Sequence, residues 1–147
     1  HMRSFGKFFG MAGLRLGFAI GAAVHMEQLQ RCVGPWAVSS VALDIGNTAL
    51  NDTAWQAQHS QFLRQQTAQL QMVLTRANLK ILGGTTLFQT VKTSRANHLH
   101  DHLAKAAIWT RKFSQMPDLL RFGVPANEAD FARLSESLNN WRHKANQ

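Results

Sequence analysis

The stretch Arg3-Ser4-Phe5-Gly6-Lys7-Phe8-Phe9-Gly10-Met11-Ala12-Gly13-Leu14-Arg15-Leu16-Gly17 constrains this chain more than any other. After Arg3 it sets a single lysine and, eight residues later, a single arginine among four glycines and apolar side chains, with a serine three residues before the lysine. Glycines at 6, 10, 13 and 17 allow tight turns and close approach of backbone to a ligand. In an apolar pocket Lys7 is expected to be desolvated, which favours the neutral amine that attacks carbonyls. Arg15 carries a planar fork suited to phosphate. No general structural need explains that combination.

An imine-forming lysine joined to a phosphate-binding arginine and serine suggests pyridoxal 5'-phosphate, whose aldehyde and phosphate need those two kinds of partner. The spacing S-x-x-K-x-x-G-x-x-G-x-R-x-G is filled by Ser4, Lys7, Gly10, Gly13, Arg15 and Gly17. It resembles the cofactor-lysine motif of the fold-type I pyridoxal-phosphate enzymes, the aminotransferase class I/II family. The longer wording RSFGKFFGMAGLRLGFAIG is similar to the threonine-phosphate decarboxylases of cobalamin biosynthesis within that family, as are GPWAVSS at 34–40, DTAW at 52–55, GGTTLF at 83–88 and LLRFGVP at 119–125.

The resemblance implies an α/β fold class, the C-terminal fragment of the fold-type I transferase fold. Residues 1–2 are expected to be a cloning remnant. Residues 3–50 are expected to form the end of the cofactor-binding large domain with the lysine loop, and 51–147 the small C-terminal α/β domain. It further implies that Lys7 is catalytic and holds the cofactor, that Ser4 and Arg15 bind the cofactor phosphate, and that Arg121 grips the substrate α-carboxylate. Arg111 and Lys112 are weaker candidates for a substrate phosphate or carboxylate. The implied reaction is decarboxylation of L-threonine O-3-phosphate, a phosphorylated amino acid, to aminopropanol phosphate in the cytoplasm. The alternatives are an aminotransferase of the histidinol-phosphate type, with Lys7 as general base at Cα, and a non-catalytic fragment acting by association. Family members draw other cofactor contacts from an N-terminal part, so this chain alone is expected to be inactive or nearly so. A homodimer is implied for the full-length enzyme, and self-association through exposed apolar surface for the fragment.

Arg121 also stands out on its residues alone. It is the lone charge in Leu119-Leu-Arg121-Phe-Gly-Val-Pro125, and burying an arginine is costly without an anionic partner. That partner is either an acidic side chain or a ligand.

Composition closes other routes. Sixteen Lys and Arg against eight Asp and Glu give a net charge of +8, which raises nucleic acid as a partner. The basic residues are scattered, however, and no recognition motif accompanies them, so no nucleic-acid partner is expected. One cysteine, Cys32, allows no intrachain disulfide and fits a reducing compartment. The apolar run at 8–24 imitates a signal peptide, but Arg15 at its centre costs about 2.5–3.5 kcal/mol on insertion scales, so no membrane role is expected. His98, His100 and His102 imitate a metal cluster. Only His98 and His102 share a helix face, too few ligands for structural zinc, so they are expected to be a solvated face and no metal is expected.

Periodicity predicts a buried strand at 14–21 and a helix at 22–33 with Val24, Leu29 and Val33 available for burial. Residues 36–45 suggest a segment packed against other protein, with Trp36 serving packing rather than ligand contact. Asp52 is expected to cap a helix reaching Asn78, with Trp55, Phe62, Leu70, Val73 and Ala77 on its apolar face. Strands are expected at 79–82 and 86–91 flanking Gly83-Gly84, at 108–113 and at 119–124. A helix is expected at 96–107 with Leu99, Leu103 and Ala106 on one face. Asn127 is expected to cap a final helix with the stripe Phe131, Leu134, Leu138 and Trp141.

Overall fold

The computed structural model describes the backbone of residues 1–145 and the side chains of residues 1–141. The chain divides into two compact units, His1–Ala57 and the portion from Gln58 onward.

In the first unit, β1 (Met2–Ser4) pairs antiparallel with β2 (Gly17–Ala19), with Ser4 opposite Gly17. This pair closes the glycine-rich loop at its base, and a further bond from Phe5 N–H to the Leu16 carbonyl at 3.2 Å extends the closure inward. The strand expected at 14–21 is therefore shorter. Residues 12–14 form a 3-10 turn, Arg15 is left-handed, and of the residues that follow only Leu16 is buried.

Helix α1 (Ala23–Val33) ends at Gly34 and matches the predicted span, yet buries none of its residues. Val24, Leu29 and Val33 are exposed, and Trp36 is 96% exposed. Within 36–45, expected only as a segment packed against other protein, α2 (Ser40–Asn51) begins. Ser39 caps it by accepting from Ala42 N–H at 3.1 Å, which satisfies one of the orphan donors of a helix start. Asp52 follows α2 at once and caps α3 (Thr53–Arg76), its Oδ1 accepting from Trp55 N–H at 3.0 Å. The first turn of α3 belongs to the first unit, where the Trp55 ring stacks on Phe9 at 5.8 Å.

The core of this unit is small: Phe5, Leu16 and Ala42 are buried hydrophobic residues, with Gly46 buried beside them. A Cβ on Gly46 would overlap Leu16 Cδ2 and touch the tip of Phe5. The bare face of α2 at this point is thus the seat of the loop.

In the second unit, β3 (Lys80–Thr85), β4 (Phe88–Lys92), β5 (Arg111–Lys112) and β6 (Leu119–Gly123) form an antiparallel sheet in the order β3-β4-β6-β5. Gly83 and Gly84 lie inside β3 rather than between strands, with an irregularity between Ile81 and Gly83. At Gly84 a Cβ would overlap the Phe88 carbonyl and the Gln89 side chain, so a glycine is required where the two strands come this close. The strand expected at 108–113 is reduced to β5.

Helices α4 (Ala96–Lys105) and α5 (Glu128–Ala145) complete the unit. Asn127 caps α5 through its Oδ1, which accepts from Asp130 N–H at 2.9 Å. The core joins Leu70, Leu74 and Ala77 of α3 and its end, Leu99 and Leu103 of α4, and Phe131, Leu134 and Leu138 of α5 to Val91, Leu120 and Phe122 of the sheet. Each fully buried leucine contributes about 1.5–3 kcal/mol over its exposed state. Leu70 is buried as expected, whereas Trp55 and Phe62, expected on the same face of α3, are exposed, and Leu63, Thr67 and Leu74 are buried with Leu70. Among the described residues, no helix is long and apolar enough to cross a membrane.

The Gly46 seat yields a prediction. Gly46→Val forces Leu16 out of its buried position and is expected to lower stability by about 1–3 kcal/mol, the usual cost of overpacking. Circular dichroism melting of the chain measures it, and an unchanged midpoint would show that the loop is not seated on α2.

Candidate functional site

The sequence-predicted residues fall into two groups, each built by its own part of the fold. Ser4, Lys7 and Arg15 lie on the loop that β1 and β2 close, and all three are exposed. Ser4 Oγ accepts from Gly6 N–H at 3.1 Å, which leaves the hydroxyl proton to donate elsewhere. Lys7 begins a turn closed by Gly10 N–H donating to its carbonyl at 3.0 Å. Arg15 has φ 54 and ψ 33, a left-handed conformation costing about 1–2 kcal/mol for a residue with a Cβ. Its guanidinium donates to the Ala12 carbonyl at 3.3 Å. Backbone strain of this kind persists where the surroundings over-determine it, and functional sites are frequent among such places.

The apolar pocket expected around Lys7 is not formed. Lys7 is open to solvent, because the neighbouring rings turn to one another: Phe5 stacks on Phe9 at 4.5 Å and Phe8 meets Phe9 edge-on at 5.1 Å. This cluster, which also includes Phe18 and Trp55, escaped sequence reading. The pairing of Phe8-Phe9 with a distant tryptophan has no spacing signal. A cleft of about 330 Å³ opens beside it, lined by Phe9, Met11, Asp44, Ile45, Thr48, Ala49, Asp52 and Trp55. None of Ser4, Lys7 and Arg15 lines it.

In donor chemistry the loop fits an aldehyde that also carries a phosphate. One primary amine, one hydroxyl and one guanidinium are presented on one closed loop, and none of the three is held in an ion pair among the described residues.

The second group is on the sheet. Leu120 and Phe122 of β6 face the core, so Arg121 faces the other way. Its cross-strand partners are Thr90 on one side and Arg111 on the other. Two cations directly opposite each other on neighbouring strands are unfavourable in the absence of an anion. No carboxylate pairs with either arginine among the described residues, which removes the acidic-partner alternative for Arg121 there. Instead the Arg121 guanidinium lies over the Phe88 ring at 4.7 Å, and that of Arg111 lies 5.9 Å from the Phe113 ring. Arg111, the weaker candidate on sequence, is thus placed in register with Arg121.

The histidines differ from the solvated face expected of them. His98 is exposed, but His100 is buried, with Nδ1 2.8 Å from Thr110 Oγ1. His102 Nε2 lies 2.9 Å from the Ser137 carbonyl. Among the described residues, no group of three or more metal-ligating side chains is gathered.

Comparison with known proteins bears on the whole chain. The sequence profile of aminotransferase class I and II matches residues 1–138. The chain is 40% identical to a threonine-phosphate decarboxylase of Pseudomonas aeruginosa over 146 residues, 99% of this chain and 44% of that protein. It is 41% identical to a threonine-phosphate decarboxylase of a Sinorhizobium species over 137 residues, 92% of this chain and 40% of that protein. Among solved structures, it resembles the histidinol-phosphate aminotransferase of Sinorhizobium meliloti in complex with pyridoxal-5'-phosphate, with a TM-score of 0.78 at 20% identity, over 98% of this chain and 41% of that one. The chain therefore spans less than half the length of these relatives.

The strained arginine separates stability from binding. Arg15→Gly relieves the left-handed strain and is expected to leave stability unchanged or raise it by up to about 1 kcal/mol. The same substitution is expected to weaken retention of pyridoxal phosphate, measured by equilibrium dialysis. A destabilised variant, or one that retains the compound as before, would contradict this account.

Proposed function

The chain belongs to the aminotransferase class I and II family, and from that premise we propose that it carries part of a pyridoxal-phosphate-dependent decarboxylase acting on L-threonine O-3-phosphate. The observation that carries this reading is identity of 40% with a threonine-phosphate decarboxylase over 99% of the chain, spanning the Ser4–Lys7–Arg15 loop and the arginine pair alike. In this reading Lys7 Nζ holds the cofactor aldehyde, while the Ser4 hydroxyl and Arg15 guanidinium hold its phosphate. When bound, the cofactor supplies an electron sink for the pair left at Cα.

The chain's own residues then have three tasks. Arg121, braced on Phe88, binds the α-carboxylate of the amino acid, and Arg111 adds a second cation for its other anionic group. By fixing those two anionic groups the arginines orient Cα, and orientation decides which of its bonds breaks. Lys7 Nζ, displaced from the aldehyde by the substrate's amino group and carrying the proton taken from it, is the group suited to return a proton to Cα after the carboxylate leaves as carbon dioxide, giving aminopropanol phosphate.

Lys7 is exposed, so the described residues do not supply the water exclusion that such chemistry needs. The isolated chain is accordingly expected to turn over threonine phosphate slowly or not at all. An alternative role in association has one observation in its favour, the exposure of Val24, Val33, Trp36 and Val41 in the first unit, since apolar surface of this kind drives association. Size-exclusion chromatography tests it: a clean monomer at all concentrations would remove it.

Two measurements test the main reading. Incubation with pyridoxal phosphate followed by borohydride reduction is expected to leave one pyridoxyl group, on Lys7, and Lys7→Ala is expected to abolish it. Exchanging this chain for the matching 44% of the Pseudomonas aeruginosa enzyme is expected to give carbon dioxide and aminopropanol phosphate from threonine phosphate. Amino-group transfer without carbon dioxide release would replace the decarboxylase reading with the aminotransferase one.

A further inference from the structure

Thr110 immediately precedes Arg111 and is 3% exposed, and His100, its partner on α4, is 4% exposed. The Trp109 ring stands edge-on to the imidazole at 4.7 Å. His100 neighbours the buried Leu99 in sequence, on a helix whose other buried residues are Ala96 and Leu103. Keeping an imidazole in that setting is unfavourable unless its polar atoms are bonded, and Thr110 Oγ1 supplies the bond.

What this bond holds is the start of β5. That strand has two residues, lies at the sheet edge, and pairs only with β6. So short a ladder fixes an edge weakly, and here it must also oppose a repulsion, since Arg111 stands directly across from Arg121. Left to the ladder alone, the edge would fray and carry Arg111 away from Arg121. A directional hydrogen bond from the helix to the residue before Arg111 resists that motion.

We infer that His100 is a positioning residue: by holding Thr110 it keeps Arg111 opposed to Arg121, so that the pair is set for the two anionic groups, carboxylate and phosphate, of one phosphorylated amino acid. The inference rests on the reading of the arginine pair as the clamp for the substrate's anionic groups. It explains why a polar pair is buried here rather than two apolar side chains, which would fill the space without fixing a direction.

The test uses the whole chain, labelled with nitrogen-15, titrated with L-threonine O-3-phosphate at constant ionic strength while the guanidinium Nε–H signals of Arg111 and Arg121 are followed. Both signals are expected to shift with one common midpoint. Thr110→Val keeps the shape and removes the hydroxyl, and is expected to weaken threonine phosphate roughly three- to tenfold and to separate the two responses. Thr110→Ser, which restores the hydroxyl, and His100→Asn, which keeps a side-chain partner for it, are expected to recover the common midpoint. All titrations are run well below each variant's melting temperature, so a folding defect does not imitate the effect. Unchanged affinity in Thr110→Val would overturn the role of His100 while leaving the clamp intact. Absence of any response in the unsubstituted chain would overturn the clamp and the inference with it.

Discussion

The seating of two side chains against the one position of α2 that carries none, Gly46, governs the lysine loop. Phe5 and Leu16 stand at the two ends of the loop and bond to each other through the backbone. Both are buried, and a Cβ on Gly46 would overlap Leu16 and touch the tip of Phe5. Burying a phenylalanine and a leucine is worth about 1.5–3 kcal/mol each, which is enough to fix the base of a loop whose own hydrogen bonds are few and local. With the base fixed, Ser4, Lys7 and Arg15 can be presented outward, and Arg15 can be held in a conformation that it would not choose alone.

The parts of this arrangement that were legible in the sequence are those set by residue identity at short range. Asp52 and Asn127 announce helix starts because a short polar side chain can accept from N–H groups three residues on. Asn78 ends α3 with φ 59, as its tolerance of the left-handed region allows. The stripe Phe131, Leu134 and Leu138 is buried because it follows the helical period. The loop was legible for a different reason: its residue types make chemical sense only together.

What was not legible depends on contacts distant in sequence. Helix α2 was hidden because its buried face is made of Ala42 and Gly46, small residues that close approach demands and that carry no hydrophobic period. Trp55 matches a helix period with Leu70, yet its rings of contact, Phe8 and Phe9, are in the first unit. Gly83 and Gly84 look like a turn because glycine usually marks one, whereas here the glycine at 84 makes room for Gln89 and the Phe88 carbonyl. His100 was lost among neighbouring histidines, since only the position of Thr110 distinguishes it. The apolar residues of α1 follow a helical pattern and are exposed all the same, because a pattern marks which face is fit for burial and not what covers it.

The opposed arginines show how magnitudes choose between structure and function for a charge on a strand. Two unit charges about 4 Å apart repel by about 1 kcal/mol in water and about 4 kcal/mol at an effective dielectric of 20, and by less as they move apart. Each guanidinium recovers about 0.5–1 kcal/mol from the ring beneath it, Phe88 for Arg121 and Phe113 for Arg111. The two ring contacts together are of the same size as the repulsion in a solvent-facing setting, so the pair stands without an acidic partner. A carboxylate from the chain would have neutralised the pair and closed it. With no such partner among the described residues, the repulsion becomes a gain for an incoming anion, which reverses the sign of both interactions at once.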